Sequence, residues 1–444
     1  MAVPSFLRAS IHHEIKTIEM HTTGEPTRII YAGFPPLTYA QSNSSNPYPF
    51  PQRTLLEQRA AAKAHHDNVR KSVIHEPRGH HEMYGAALRP HTEHVDAGAA
   101  HMGALFLTHE GYSTMCGHAT LALGRLLVDC CASIGDADPS ADEETIFPKR
   151  GELQFFSTDA SSAGNNIGAK GQVEVRLHVP CGIVRVTVPA VRTNTHGGFR
   201  ADSDSSRLIH YLSVPSFAAG TSITVPIPPS LRWPALPQDQ SSITADVAYG
   251  GAFYLFVTAA ALGFPKSLEK PDMAALNEAT RNVKAAFNAH EELPRRYLHH
   301  PDAADLQFLY SVFVTEPGRG VAAPVADGAD TGVCFFADQQ VDRSPTGSGV
   351  QARVALAVAK GERKMGQRWT YHSLLSGAAE GGKGGFVGMP VEEVGVGEKV
   401  GVTVEVSGWA NYMGVATWVV EKGDEVGEGF DFEALGARSS KLDG

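Results

Sequence analysis

One pattern occurs twice in this chain and restricts its folding more than any other feature. Residues 115–129 read MCGHATLALGRLLVD, and residues 346–361 read TGSGVQARVALAVAKG. In each, a glycine opens a run of Ala, Leu and Val spaced for a helix face, and strand candidates precede it. Two β-rich halves, each wrapped round one apolar helix, account for this repeat. Their helix N-termini can then face each other across a cleft. Such a pair holds a carboxylate well, because first-turn N–H groups lack acceptors and both dipoles present their positive ends.

Cys116 stands at the head of the first run. Thr114 is a candidate N-cap, and Gly117 permits close backbone approach at the first turn. A thiol there meets the positive end of a helix dipole, which lowers its pKa and suits it to act as a base. On this stretch alone, a small apolar cysteine capping a core helix stands as an equal alternative.

The remaining chain fits two or more domains. At 444 residues it exceeds one ordinary core. A net charge of −10 argues against nucleic acid or an anionic membrane as partner. No apolar run reaches membrane-span length, and the N-terminus lacks a signal-peptide core. Five cysteines make no disulfide framework, so a cytoplasmic setting is expected.

In order, residues 14–31 read as strand, turn at Thr23-Gly24 and strand, with His21, Glu25 and Arg28 near the turn and able to point into a cleft. A loop is expected at 35–53, helix at 54–72, and a turn-rich segment with Glu76, Arg78 and His80 before Met83-Tyr84-Gly85. A strand at 99–109 leads into the Cys116 helix, and surface insertions follow at 133–171. Residues 172–190 read as two strands broken at Pro180, and 192–207 as a polar stretch. A Pro-rich crossover is expected within 208–245, a glycine turn and strand at 249–257, helix at 272–292, and strands at 306–314 and 332–338. The domain reading is 14–225 for the first half, with strands from 390–421 able to return to it, 226–389 for the second, and 422–444 as a poorly ordered tail.

Five stretches carry a resemblance: MHTTGEPTR (20–28), HEPRGHHEMYGA (75–86), MCGHATLALGR (115–125), YGGAFY (249–254) and CFFADQQVDRSPTGSG (334–349). Together they resemble the proline racemase family, whose fold is shared with diaminopimelate epimerase. The implied fold class is therefore α+β, diaminopimelate epimerase-like, with the active site between two pseudo-symmetric halves. The family's racemases and epimerases carry a second cysteine in DRSPCG, where this chain has Thr346. Inverting a carbon centre needs a base on one face and an acid of similar strength on the other. A threonine hydroxyl has no accessible anion near neutral pH, so one-sided chemistry remains.

The resemblance of the Cys/Thr pair implies a lyase that dehydrates trans-3-hydroxy-L-proline to Δ1-pyrroline-2-carboxylate without a cofactor or metal. Cys116 is expected to take the Cα proton, and the backbone N–H groups of Gly117, His118, Gly347 and Ser348 to bind the carboxylate. Asp342 resembles the family's ammonium contact, and Thr346 would be a hydrogen-bonding wall. The protonated thiol or His118 would help the hydroxyl leave. The partner is then a small molecule, with a homodimer left open. An epimerase or racemase using another acid, and a non-catalytic binding homologue, stay as alternatives.

Other motifs are set aside. HEPRGH spaces its histidines wrongly for a zinc helix, and Pro77 interrupts any such helix. GAAEGGKG lacks the Ser/Thr of a phosphate loop and reads as a flexible turn. Cys130 and Cys131 are expected at a helix end, Cys181 and Cys334 in strand cores, and the His pairs at 12–13, 65–66 and 299–300 show no ligand spacing. Phe253 and Tyr254 could wall a pyrroline ring, with strand packing the commoner role.

Overall fold

The computed structural model describes residues 3–4, 6–37, 53–133, 147, 153–158, 168–195, 198–264 and 268–432, so the expected loop at 35–53 and the insertions at 133–171 lie largely outside the described residues. The first part runs β1 (Ile11–Thr22), β2 (Glu25–Ala32), α1 (Leu55–His65), α2 (Asp67–Ile74), β3 (Gly85–Arg89), α3 (Glu93–Asp96), β4 (Met102–Leu107), β5 (Tyr112–Ser113), α4 (Gly117–Ser133), β6 (Phe155–Ser157), β7 (Lys170–Val179), β8 (Gly182–Thr195), β9 (Gly198–Ser203) and β10 (Ile209–Leu212). The second runs β11 (Phe217–Pro226), β12 (Ser242–Tyr249), β13 (Phe253–Thr258), α5 (Met273–Ala289), α6 (Leu293–Tyr297), β14 (Leu309–Glu316), β15 (Ala329–Phe336), β16 (Gln340–Val341), α7 (Gly347–Ala359), β17 (Trp369–His372), α8 (Leu374–Ala378), β18 (Phe386–Val396), β19 (Lys399–Gly408) and β20 (Asn411–Glu421).

Both glycine-opened runs are helices, and both are buried almost all round. In α4 the leucines 121, 123, 126 and 127 face every direction and are all within the core. Each contributes roughly 1.5–3 kcal/mol by leaving water. A helix apolar on all sides must be enclosed. Strands β1, β2 and β7 to β10 wrap α4, and β11, β12, β13, β18 and β19 wrap α7. Gly124 lets α4 lie against the sheet, since a Cβ there would sit 2.4 Å from Val186 Cγ1. Helix α7 is equally enclosed from Gly347 to Ala357.

The β1–β2 turn falls where expected, with both Thr23 (φ 53°) and Gly24 (φ 83°) in the left-handed region that a tight hairpin requires. The β7–β8 hairpin breaks after Val179 as read from Pro180. Strand β20 pairs antiparallel with β1, while β19 pairs with β10 and β18. Strand β11 pairs with β12 and packs on α7.

Several local expectations are corrected. Residues 192–207 are not a plain polar stretch, because β8 extends to Thr195 and pairs with β9. Cys181 lies in the β7–β8 turn and not in a strand. Of the tail at 422–444, residues 422–432 are anchored: Lys422 N–H donates to Ser10 O (2.8 Å), and Phe430 N–H to Glu76 O (2.9 Å). The glycine-rich turn is also fixed, with Thr23 Oγ1 donating to Gly384 O at 2.8 Å. Among the described residues no helix is long and apolar enough to cross a membrane.

Candidate active site

The N-termini of α4 and α7 meet. A Cβ built on Gly117 would lie 2.4 Å from Gly347 Cα, and one on Gly347 would lie 2.7 Å from Gly117 Cα and 2.5 Å from Tyr211 Oη. Real Cβ atoms do not approach so closely, so only glycine lets the two helices touch end to end. Their free first-turn N–H groups thereby converge on one small volume. Replacing Gly347 with alanine is expected to lower stability by ~1–3 kcal/mol and to cost most of the activity, because the overpacked ends must separate. Denaturant titration and turnover check this against Gly111→Ala, where a Cβ would meet nothing within 4 Å.

Cys116 itself ends the helix. Its Sγ accepts the Ala119 N–H at 3.3 Å, and its carbonyl accepts the Thr120 N–H at 3.0 Å. Thr114, the expected cap, instead donates its hydroxyl to Gly251 O at 2.7 Å. The His118 ring lies against the sulfur, with Nδ1 at 3.3 Å and Nε2 at 3.4 Å. Tyr84 packs edge-on against that ring and hydrogen-bonds Ser113 Oγ at 2.7 Å.

The electrostatics reverse one expectation. The Cys116 thiol is not held low. Burial pushes it well above the usual thiol value, the charges of Asp342 and Glu25 add to that, and the Tyr84 hydroxyl and Ala119 N–H only partly offset it. A helix dipole contributes roughly 0.3–1 kcal/mol. Full burial shifts a pKa by up to about 3–5 units, at 1.36 kcal/mol each, so desolvation wins. Burial also drops His118 to about 3, leaving a neutral imidazole at pH 7.

The α7 side is built from the loop between β16 and the helix. Thr346 takes a left-handed backbone (φ 61°) uncommon for a branched residue, and its Oγ1 donates to Asp342 Oδ2 at 2.8 Å. Asp342 Oδ1 accepts the Ser344 N–H at 2.7 Å. Burial raises the Asp342 carboxyl to about 6, although the Ser344 and Thr346 hydrogen bonds draw it down. Beside it, Glu25 accepts the Arg343 N–H at 2.8 Å and is pushed well up by burial and by the Asp342 charge.

A small cavity joins these groups, lined by Cys116, Gly117, His118, Asp342, Thr346, Gly347 and Ser348. Its apolar wall comprises Tyr84, Tyr254, Tyr310 and Phe336, with Tyr310 stacked on Phe336 at 5.9 Å and Tyr254 Oη bonded to Ser348 Oγ at 2.6 Å. Cys334, read as core alone, also lines the cavity, its Sγ 3.0 Å from Ser311 Oγ. Phe253 does not reach it and packs against Phe217 and Tyr249.

All seven site residues named from the sequence thus line one cavity, whereas Tyr84, Tyr310, Phe336 and Cys334 were not read as its walls. Tyr84 lay in a quoted motif; Tyr310 and Phe336 sit in strands buried on both faces, where no alternation marks the cavity side. Of the residues near the first turn, Glu25 backs the site. His21 Nδ1 accepts the Gly24 N–H, and Arg28 pairs with Glu19 beneath Trp418, away from the cleft. Arg78 donates to Val419 O and Gly427 O, so its loop is tied to the C-terminal segment.

The sequence profile of the proline racemase family matches residues 17–132 and 163–431. A trans-3-hydroxy-L-proline dehydratase of Homo sapiens is 37% identical over 418 residues, 94% of each chain. A protein of that name from Burkholderia cenocepacia is 29% identical over 420 residues, covering 95% of this chain and 98% of its own. The solved structure of a hydroxyproline epimerase from Agrobacterium vitis, with bound trans-4-hydroxy-L-proline, superposes with a TM-score of 0.66 over 95% of both chains at 19% identity. At that identity the match speaks to the α+β fold, which is the one expected.

Proposed function

From the premise that the chain belongs to the proline racemase family, we propose that it dehydrates trans-3-hydroxy-L-proline to Δ1-pyrroline-2-carboxylate. The observation that carries this reading is the asymmetry of the cavity. Cys116 lies at the head of α4, and the head of α7 presents Thr346, whose hydroxyl is already given to Asp342. Dehydratases 35–37% identical over 94% of the chain support it.

The substrate carboxylate sits between the helix ends, on the N–H groups of Gly117, His118, Gly347 and Ser348. Asp342 pairs with the ring ammonium, and the four aromatic side chains enclose the ring. In this substrate the 3-hydroxyl is trans to the carboxylate and therefore cis to the Cα hydrogen. Cys116 thiolate takes the Cα proton, and the electron pair left on Cα forms the Cα–C3 double bond as the C–O bond breaks. The same sulfur lies on the face of the departing oxygen and returns the proton to it. Water leaves, the thiolate is regenerated, and the enamine tautomerises to the imine. The helix N–H groups stabilise the negative charge that develops through the carboxylate. No second base is required.

Burial makes the Cys116 thiolate scarce but strongly basic, and Asp342 must be ionised to hold the ammonium. The deprotonated fraction of both groups grows with pH. Accordingly kcat/KM is expected to fall as pH drops through about 6, where Asp342 gains its proton, and to climb from pH 6 towards 8.5. A profile that is flat or highest below pH 6 contradicts these assignments.

Product analysis with trans-3-hydroxy-L-proline, trans-4-hydroxy-L-proline and L-proline tests the reading. Loss of water from the first alone supports it, and inversion of any of the three without dehydration overturns it. The reducing, cytoplasmic setting expected from composition belongs to this reading and keeps Cys116 available as a thiol.

A further inference from the structure

Outside the active site, three side chains that can ligate a metal are brought together from distant parts of the chain. His81 comes from the loop before β3, His109 from the β4–β5 turn and Asp431 from the C-terminal segment. One ligand atom from each lies within 4.8 Å of the other two. His109 Nδ1 faces Asp431 Oδ2 at 3.8 Å, and the His81 and His109 rings are 4.7 Å apart. A tetrahedral ion with bonds near 2.0–2.1 Å needs its ligands roughly 3.4 Å apart, so small side-chain rotations complete the set.

The support around this trio is that of a fixed site. The His75 ring stacks on His109 at 4.0 Å, and its Nε2 hydrogen-bonds His109 O at 2.8 Å. The His109 N–H donates to Gln340 Oε1 at 3.0 Å, and the Gln340 amide donates to Met83 O at 3.2 Å. Asp431 is delivered by the Phe430–Glu76 backbone bond and by Gly429, whose Cα lies so close to α2 that a Cβ would meet Lys71 O at 2.3 Å. Arg70, which donates to His109 O, has its charge met by Asp67 at 2.6 and 2.8 Å.

We propose that His81, His109 and Asp431 bind one divalent transition-metal ion of the zinc type, which clasps the C-terminal segment to the loop that delivers Tyr84. Two imidazoles and one carboxylate suit zinc, and three protein ligands leave a fourth position for water. The clasp stands apart from the catalytic cavity, which none of its ligands lines. A second trio, Glu93, His94 and His178, is already employed: Glu93 caps the Leu55 N–H at 2.8 Å, and His178 Nδ1 bonds Thr92 Oγ1 at 2.8 Å.

The test is titration of the full chain, stripped with a chelator, with Co²⁺. The expected result is one equivalent bound, with visible absorption of a low-coordinate cobalt centre, displaced by Zn²⁺ and slowing hydrogen exchange in residues 75–84 and 424–432. Asp431→Asn and His81→Gln, both at partly exposed positions, should each weaken binding at least about tenfold, the scale on which even outer-shell changes act. Glu93→Gln should leave it unchanged. Absence of saturable binding below about 100 µM Co²⁺, far weaker than structural zinc sites, overturns the proposal. So does binding that survives both trio variants, or that is lost in Glu93→Gln.

Discussion

Replacing Cys116 with serine is expected to cut turnover of trans-3-hydroxy-L-proline by at least about a thousandfold while the protein stays folded and still binds substrate. The size follows from the two duties given to one sulfur. General-base catalysis is worth roughly 10²–10⁴, and here the same group also returns the proton to the leaving oxygen. A serine hydroxyl fits the space but has no accessible anion. It can still accept the Ala119 N–H, so the helix end is preserved. Substrate-induced thermal stabilisation would show that the carboxylate seat and Asp342 remain in place. Turnover within tenfold of wild type would remove Cys116 from the role of base.

The second large effect is a gain. Thr346→Cys is expected to add exchange and inversion at Cα to a site that otherwise only eliminates. Position 346 opens α7 as Cys116 opens α4, and both line the cavity. Cysteine there loses the Thr346–Asp342 hydrogen bond of 2.8 Å and supplies a titratable group on the second face. The measurement is chiral separation of L-proline recovered from D₂O, with deuterium counted at Cα. D-proline carrying deuterium is the predicted outcome. A variant that dehydrates but never inverts would show that residue 346 does not divide the two chemistries.

How much of this was legible in the sequence depends on the kind of feature. The two helices could be read because a glycine followed by an apolar run on all faces has few other ways to fold, and their repetition implied a pair. That the two ends touch rests on Gly117 and Gly347 together, which no local pattern links. The cap was misread because the acceptor of the Ala119 N–H is sulfur and not the nearby threonine. The thiol was misjudged for a related reason: a dipole can be read from a helix start, while desolvation depends on walls contributed by β13, β14 and β15. The aromatic walls were hidden because strands buried on both faces show no alternation. The histidine trio was hidden because His81, His109 and Asp431 become neighbours only after β20 pairs with β1 and the chain turns back.

The central claim is that one sulfur works on one face of the ring. Incubating the unmodified protein with trans-3-hydroxy-L-proline in D₂O, and examining both product and unreacted substrate, tests it most directly. The expected result is Δ1-pyrroline-2-carboxylate with loss of water, and recovered substrate with no inverted centre. Deuterium at an inverted Cα would contradict it. That result would require a second acid on the Thr346 side, and would hand the role to Cys334, the other thiol that lines the cavity.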